Sequence, residues 1–112
     1  MPNSLKQNKP LPHVKRALTA TEVVANLAKL EGWRLTGDGP TVAIEKTYSF
    51  ADFYPTMAFV NALAFIAHAQ NHHPELTVHF KHCVVRWHTH DVQGISMADD
   101  FDCAARVDAL LT

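Results

Sequence analysis

The segment AQNHHPEL, residues 69–76, sets two histidines side by side immediately before Pro74. Proline disfavours the α conformation in the residue it follows, so a helix arriving from upstream must end at about His72, with His73 already turned toward extended geometry. Side chains on adjacent helical residues point about 100° apart, and where a helix ends they diverge further, so two imidazoles can line different walls of one pocket. The last turn also presents unpaired carbonyls whose partial negative charge favours imidazolium. A histidine there is poised to donate a proton near neutral pH.

Upstream of this junction, residues 52–72 form the longest helical candidate, with Asp52 as N-cap and Pro55 in the first turn, where proline is tolerated. Phe53, Met57, Val60, Ala64 and Ala67 mark one face, while Phe59, Leu63 and Ile66 mark another. A helix apolar on more than one face needs cover on more than one side. The sheet supplies one cover and a partner subunit the other, which predicts a homo-oligomer.

Further upstream, Trp33, Leu35, Val42, Ile44, Tyr48 and Phe50 follow period two on either side of Thr36-Gly37-Asp38-Gly39-Pro40, the signature of a β-hairpin. Thr19-Ala20-Thr21-Glu22 has the form of a capping box and opens a first helix striped by Val23, Val24, Leu27 and Leu30, with Gly32 placed to end it. Downstream of Pro74, Leu76, Val78 and Phe80 alternate with polar residues, as do Cys83, Val85 and Trp87, predicting two more strands. Gly94-Ile95-Ser96 then leads into a closing helix, with Ser96 and Asp99 as a second capping box and Phe101, Ala105, Val107, Leu110 and Leu111 as its apolar contacts. The expected order is α-β-β-α-β-β-α. It describes a two-layer α+β domain over residues 19–112, with a four-stranded antiparallel sheet and three helices on one face.

Composition narrows the function classes. The 112 residues are 47% hydrophobic, enough for one buried core, and ten basic against eleven acidic residues leave a net charge of -1. That balance offers no basic field for gripping phosphates, so direct nucleic-acid binding is not expected. No apolar run reaches membrane-spanning length and none of signal-peptide type lies near Met1, which points to a cytoplasmic protein. Residues 1–18 share the basic bias of an organelle transit peptide, but Pro2, Pro10, Pro12 and a single arginine favour a flexible N-terminal tail. Cys83 and Cys103 lack Cys-x-x-Cys spacing and are expected as buried free thiols.

Eight histidines are the outlying feature, because imidazole changes charge near neutrality. His72 and His73 at the helix end, and His90 in Thr89-His90-Asp91 after the last strand, are brought back together by the intervening hairpin. Asp99, near the start of the closing helix, could hydrogen-bond one ring and fix its tautomer. His68 and His72 stand at i and i+4, a spacing that also suits zinc. No Glu follows His68 in the metalloprotease pattern and no third ligand has a defined spacing, so no metal is assigned. For His68, His79, His82 and His88 the simpler expectation is a structural or solvated role.

Taken together, His72-His73-Pro74-Glu75, the aromatic Phe80, Thr89-His90-Asp91, Gly94-Ile95-Ser96 and Asp99 resemble the signature of pterin-4a-carbinolamine dehydratases. The likeness extends upstream through Thr19 to Glu22, Gly32-Trp33, Phe50, Phe53, Ala58 and Phe59, and so runs from Thr19 to Leu111. It implies the same α+β fold, a homodimer or homotetramer, and removal of water from a 4a-hydroxytetrahydropterin without metal or cofactor. The quinonoid dihydropterin so formed is reduced by a separate enzyme, which recycles the cofactor of aromatic amino acid hydroxylases. The resemblance places the essential histidines on His72, His73 and His90, and the pocket carboxylate on Asp99. Pro74, Glu75, His68 and Thr89 complete the expected substrate-binding set.

The chain departs from the family pattern at His68, where an acid is common, at Asn71, where Asp is common, and at Leu76 and Val78, where Trp and Asn are frequent. Ala98 also stands where some members carry a basic residue before the carboxylate. A second reading of the same fold is a non-catalytic protein-binding module, a dimerisation or transcriptional cofactor, that uses the apolar long helix.

Overall fold

The computed structural model describes residues 15–112, so residues 1–14 of the expected tail lie outside the described residues. Its elements are α1 (Ala20–Leu27), β1 (Arg34–Thr36), β2 (Ala43–Ser49), α2 (Phe53–Gln70), β3 (Glu75–Val78), β4 (His82–Trp87) and α3 (Asp102–Ala109). The order is the expected α-β-β-α-β-β-α. The four strands are antiparallel and lie side by side as β1-β2-β4-β3.

Each predicted boundary has a local cause. Thr19 Oγ1 accepts from the Glu22 backbone N–H at 3.2 Å while the Glu22 carboxylate accepts from the Thr19 N–H at 2.9 Å, a complete capping box for α1. Gly32, at φ 88°, makes the turn into the hairpin; a Cβ there would stand 2.9 Å from the Lys46 side chain. Asp52 caps α2 by accepting from the Tyr54 N–H at 3.1 Å. Just before them, Leu18 N–H bonds the Ile95 carbonyl at 2.8 Å and Arg16 grips Glu22 at 2.8 and 2.9 Å, so residues 15–18 pack with the domain.

Register explains the two faces of the sheet. Ile44 pairs with Trp87, Lys46 with Val85 and Tyr48 with Cys83, and these inward residues meet the helices. On the opposite face Arg34, Glu45, Arg86 and Glu75 stand in one cross-strand row, with ion pairs at 2.8 Å (Arg34–Glu45) and 3.0 Å (Arg86–Glu75). Charge on that face keeps it compatible with water while the other face is covered.

The core is Ile44, Tyr48, Val85 and Trp87 of the sheet under Phe59, Leu63 and Ala67 of α2 and Cys103, Ala104 and Val107 of α3. One face of α2 therefore meets the sheet, through Thr56, Phe59, Leu63 and Ala67. Leu63 is 1% exposed and belongs to this core, whereas Phe65 projects outward at 78%. The C-terminal end of α3 is held by Asp108, which accepts from Trp33 Nε1 at 3.0 Å, from Lys46 Nζ at 2.9 Å and from the Tyr48 hydroxyl. Burial, reinforced by the Asp108 carboxylate, pushes the Tyr48 phenol well above its ordinary pKa.

Candidate functional site

Asn71, at φ 50° and ψ 44°, ends α2 in the left-handed conformation. His72 N–H reaches back to the Ala67 carbonyl at 3.1 Å and Asn71 N–H to the His68 carbonyl at 3.2 Å. These two bonds are a Schellman motif, and asparagine is one of the few residues that enters the left-handed region readily. The helix thus ends before the position set by Pro74, and His72 lies beyond it rather than in its last turn. The histidine of the last turn is His68, which is exposed. The spacing of His68 and His72 considered for zinc therefore does not fall on one helix. Among the described residues, no three His, Cys, Asp or Glu side chains gather as a metal set.

What holds His72 is a carboxylate. Its Nε2 lies 2.7 Å from Asp100 Oδ1, and its ring stacks on Trp87 with centroids 5.4 Å apart and planes 17° apart. Asp100 is wholly buried and its other oxygen, Oδ2, accepts from the Thr89 hydroxyl at 2.5 Å and the Ser96 N–H at 2.9 Å. Thr89, having given its one proton to Asp100, accepts from the Ser96 hydroxyl at 2.9 Å. Donors converge on an acceptor-only carboxylate, so the ring nitrogen facing it carries a proton. Nδ1 is then the nitrogen of His72 not committed to Asp100.

This corrects the residue expected to orient a histidine: Asp100 does so, not Asp99. The reason is the backbone. Residues Met97–Phe101 form a π-helical turn, in which Phe101 N–H reaches the Ser96 carbonyl at 3.3 Å. A π turn holds one residue more than an α turn, which moves the carboxylate reaching back to the N-cap from the third position to the fourth. Asp99 keeps half of the expected capping box, its N–H donating to Ser96 Oγ at 3.4 Å. Its Oδ2 is buried without a well-directed hydrogen bond, and the Lys15 ammonium lies 2.9 Å away. The adjacent pair Asp99-Asp100 was the available signal, since either could serve one turn after Ser96.

The remaining expected residues fall as follows. Thr89 is 2% exposed and serves Asp100, so it presents no face to a substrate. His90, next to it, is exposed in the short turn His90–Val92, and His73 is exposed beside His72. Asp100 thus ties the segment that follows α2, which bears His72 and His73, to the end of β4, which leads to His90. Glu75 pairs with Arg86 on the sheet and Pro74 is half-buried. Of the other histidines, His88 Nδ1 bonds the Val42 carbonyl at 2.7 Å, joining the residue after β4 to the residue before β2, and His79 stacks on His82 with centroids 4.1 Å apart in the β3–β4 hairpin.

Comparison with known proteins agrees with this architecture. Residues 16–110 match the model of the pterin 4 alpha carbinolamine dehydratase family. A relative from Paracidovorax citrulli that carries the family's name is 64% identical over 99 residues, covering 88% of this chain and 84% of the relative. A second, from Bdellovibrio bacteriovorus, is 48% identical over 101 residues, covering 87% and 80%. A Brucella melitensis structure described as a transcriptional coactivator/pterin dehydratase superposes with a TM-score of 0.80 at 27% identity, covering 87% of this chain and 100% of that one. A pterin dehydratase-like protein described as a RuBisCO assembly factor in the alpha-carboxysome superposes with a TM-score of 0.61 at 26% identity, covering 71% and 89%. With the family model spanning most of its length, the chain belongs to the pterin-4a-carbinolamine dehydratase family.

Proposed function

We propose that this protein removes water from a 4a-hydroxytetrahydropterin to give a quinonoid dihydropterin, with His72 and His90 as the proton-transfer pair. The C4a–O bond breaks as the lone pair of the neighbouring N5 forms a C=N bond. The departing oxygen must be protonated, and a ring N–H must lose its proton, so one acid and one base are required. His72 Nδ1 is suited to one of these tasks because Asp100 fixes the tautomer and Trp87 fixes the plane of the ring. His90, exposed after β4, supplies the second imidazole, and His73 contacts and positions the pterin, with Pro74, Glu75, His68 and Asp99 at its margins. In the cell the reaction serves cytoplasmic recycling of the cofactor of an aromatic amino acid hydroxylase, and the protein acts as a homodimer or homotetramer.

The observation that carries this reading is the buried His72–Asp100 contact at 2.7 Å in a chain of this family. The test follows the decay of chemically generated 4a-hydroxytetrahydropterin with and without protein, then with His73→Ala and His90→Ala. Acceleration that falls in both variants supports the reading, whereas unchanged decay with the intact protein sinks it.

The second reading, a protein-binding module, draws on the exposed aromatics Tyr54 (83%) and Phe65 (78%) of α2 and on the descriptions of the two structural neighbours. It predicts that histidine substitutions leave partner binding intact while Phe65→Ser abolishes it.

A further inference from the structure

Lys15 lies at the edge of the histidine site. Backbone bonding of Leu18 to Ile95 carries the chain past the loop before the π turn, and the Lys15 ammonium ends 2.9 Å from Asp99 Oδ2. Contact with Asp99 raises its proton affinity above the ordinary lysine value, and Asp91 and Asp100 add to the effect. Asp91 follows His90 and Asp100 holds His72, so the ammonium sits where the two histidine-bearing elements converge. The contact is asymmetric. The Lys15 side chain is 44% exposed, whereas that of Asp99 is 12% exposed, with Oδ2 itself buried.

A buried carboxylate oxygen without a well-directed hydrogen bond is a costly arrangement unless a donor reaches it in some state of the protein. Ala98 brings no charge of its own and Asp100 is already saturated by donors, so neither neighbour satisfies it. A lysine ammonium is a point charge on a flexible stem, easily held at a distance that its geometry does not exploit. A flat aminopyrimidinone edge presents two adjacent N–H donors in one plane, which a carboxylate accepts side by side.

We propose that Lys15 is a displaceable cover over Asp99: it occupies the acceptor that the aminopyrimidinone edge of the pterin takes on binding. This rests on the dehydratase reading, which already sets Asp99 at the margin of the pterin, and adds to it a built-in competitor for that contact. Lys15 acts on binding and not on proton transfer. Because its side chain is well exposed, the contact it gives up is weak, and its removal changes affinity by about two- to five-fold.

The test measures steady-state decay of chemically generated 4a-hydroxytetrahydropterin with the full chain and with Lys15→Met, Lys15→Arg, Asp99→Asn and the double variant Lys15→Met/Asp99→Asn. The proposal expects Lys15→Met to lower KM about two- to five-fold with kcat unchanged, and Lys15→Arg, which keeps the charge, to return KM toward the native value. Asp99→Asn raises KM, and adding Lys15→Met to it changes nothing further. A KM that rises or stays fixed in Lys15→Met overturns the cover, as does a full Lys15→Met effect in the Asp99→Asn background. Should Asp99→Asn fail to fold, the Lys15→Met and Lys15→Arg pair decides alone. If the unaltered protein does not accelerate decay, the dehydratase reading itself falls and the cover falls with it. If it does and KM is insensitive to Lys15, only the cover is lost.

Discussion

Asp100 Oδ1 lies 2.7 Å from His72 Nε2 while Oδ2 of the same residue takes the Thr89 hydroxyl, so one buried carboxylate couples the end of the long helix to the end of the last strand. Asp100→Asn replaces an acceptor-only group by one that can also donate, and the ring of His72 loses its reason to keep a proton on Nε2. The expected result is a fall in kcat of about 100-fold, with loss of the native His72 tautomer in nitrogen-detected NMR spectra. Asp99→Asn, one residue away, should leave both kcat and that tautomer unchanged.

Thr89 gives a separate test of the same network. Thr89→Val keeps the shape of the side chain but removes one of the two donors to Asp100 Oδ2, which keeps only the Ser96 N–H, and leaves the buried Ser96 hydroxyl proton without its acceptor. The expected cost is about 1–3 kcal/mol, measured by urea unfolding. A change well below this range would mean that the carboxylate finds another donor without strain.

Most of the fold was legible in the sequence because its boundaries are made by local chemistry. Thr19 with Glu22, Asp52 before Phe53, and the glycines of the first hairpin each act on backbone within a few residues of themselves. The end of α2 was legible only approximately. Pro74 restricts His73, but Asn71 ends the helix earlier through a left-handed conformation that asparagine only sometimes adopts. The placement of His72 at the close of the long helix could be read from the sequence, whereas the carboxylate that holds its ring could not. Choosing Asp100 over Asp99 depends on the π turn at Met97–Phe101, for which the residues of the turn carry no distinct sequence signal. The clamp of Trp33, Lys46 and Tyr48 on Asp108 was equally hidden, since it joins residues far apart in the chain.

The two faces of α2 make opposite predictions for stability. Leu63 is 1% exposed against the sheet, so Leu63→Ala should cost about 2–5 kcal/mol through lost burial and a cavity. Phe65 is 78% exposed, so Phe65→Ser should stay within about 0.5 kcal/mol in unfolding of the monomer. If copies associate through this outward face, the serine variant will elute later than the unaltered protein in size-exclusion chromatography.

Both cysteines are wholly buried, and burial pushes their thiols up, that of Cys103 to about 12, with Asp99 and Asp100 adding to the effect. The thiolate is the reactive form, so two separate barriers protect each sulfur. Ellman's reagent at pH 8 should therefore modify neither Cys83 nor Cys103 in the folded protein, and both at once on unfolding in urea. Rapid reaction of one thiol under native conditions would show local opening of β4 or α3.

Glu22 supplies the pH dependence that can be read with a definite sign. Its hydrogen bonds from Arg16 and from the Thr19 backbone hold its carboxyl down at about 2, against an ordinary value of 4.5. The folded protein thus binds this proton less readily than the unfolded chain, so the contribution to stability is complete above pH 4.5 and is lost as pH falls toward 2. Glu22→Gln removes the titrating group and its pairing with Arg16. Urea midpoints measured across this range should place the variant below the unaltered protein near neutrality, with the two curves converging as the acid limit is approached. Parallel curves would mean that the Arg16 contact is too exposed to act on folding, and that the hydroxyl of Thr19 alone caps α1.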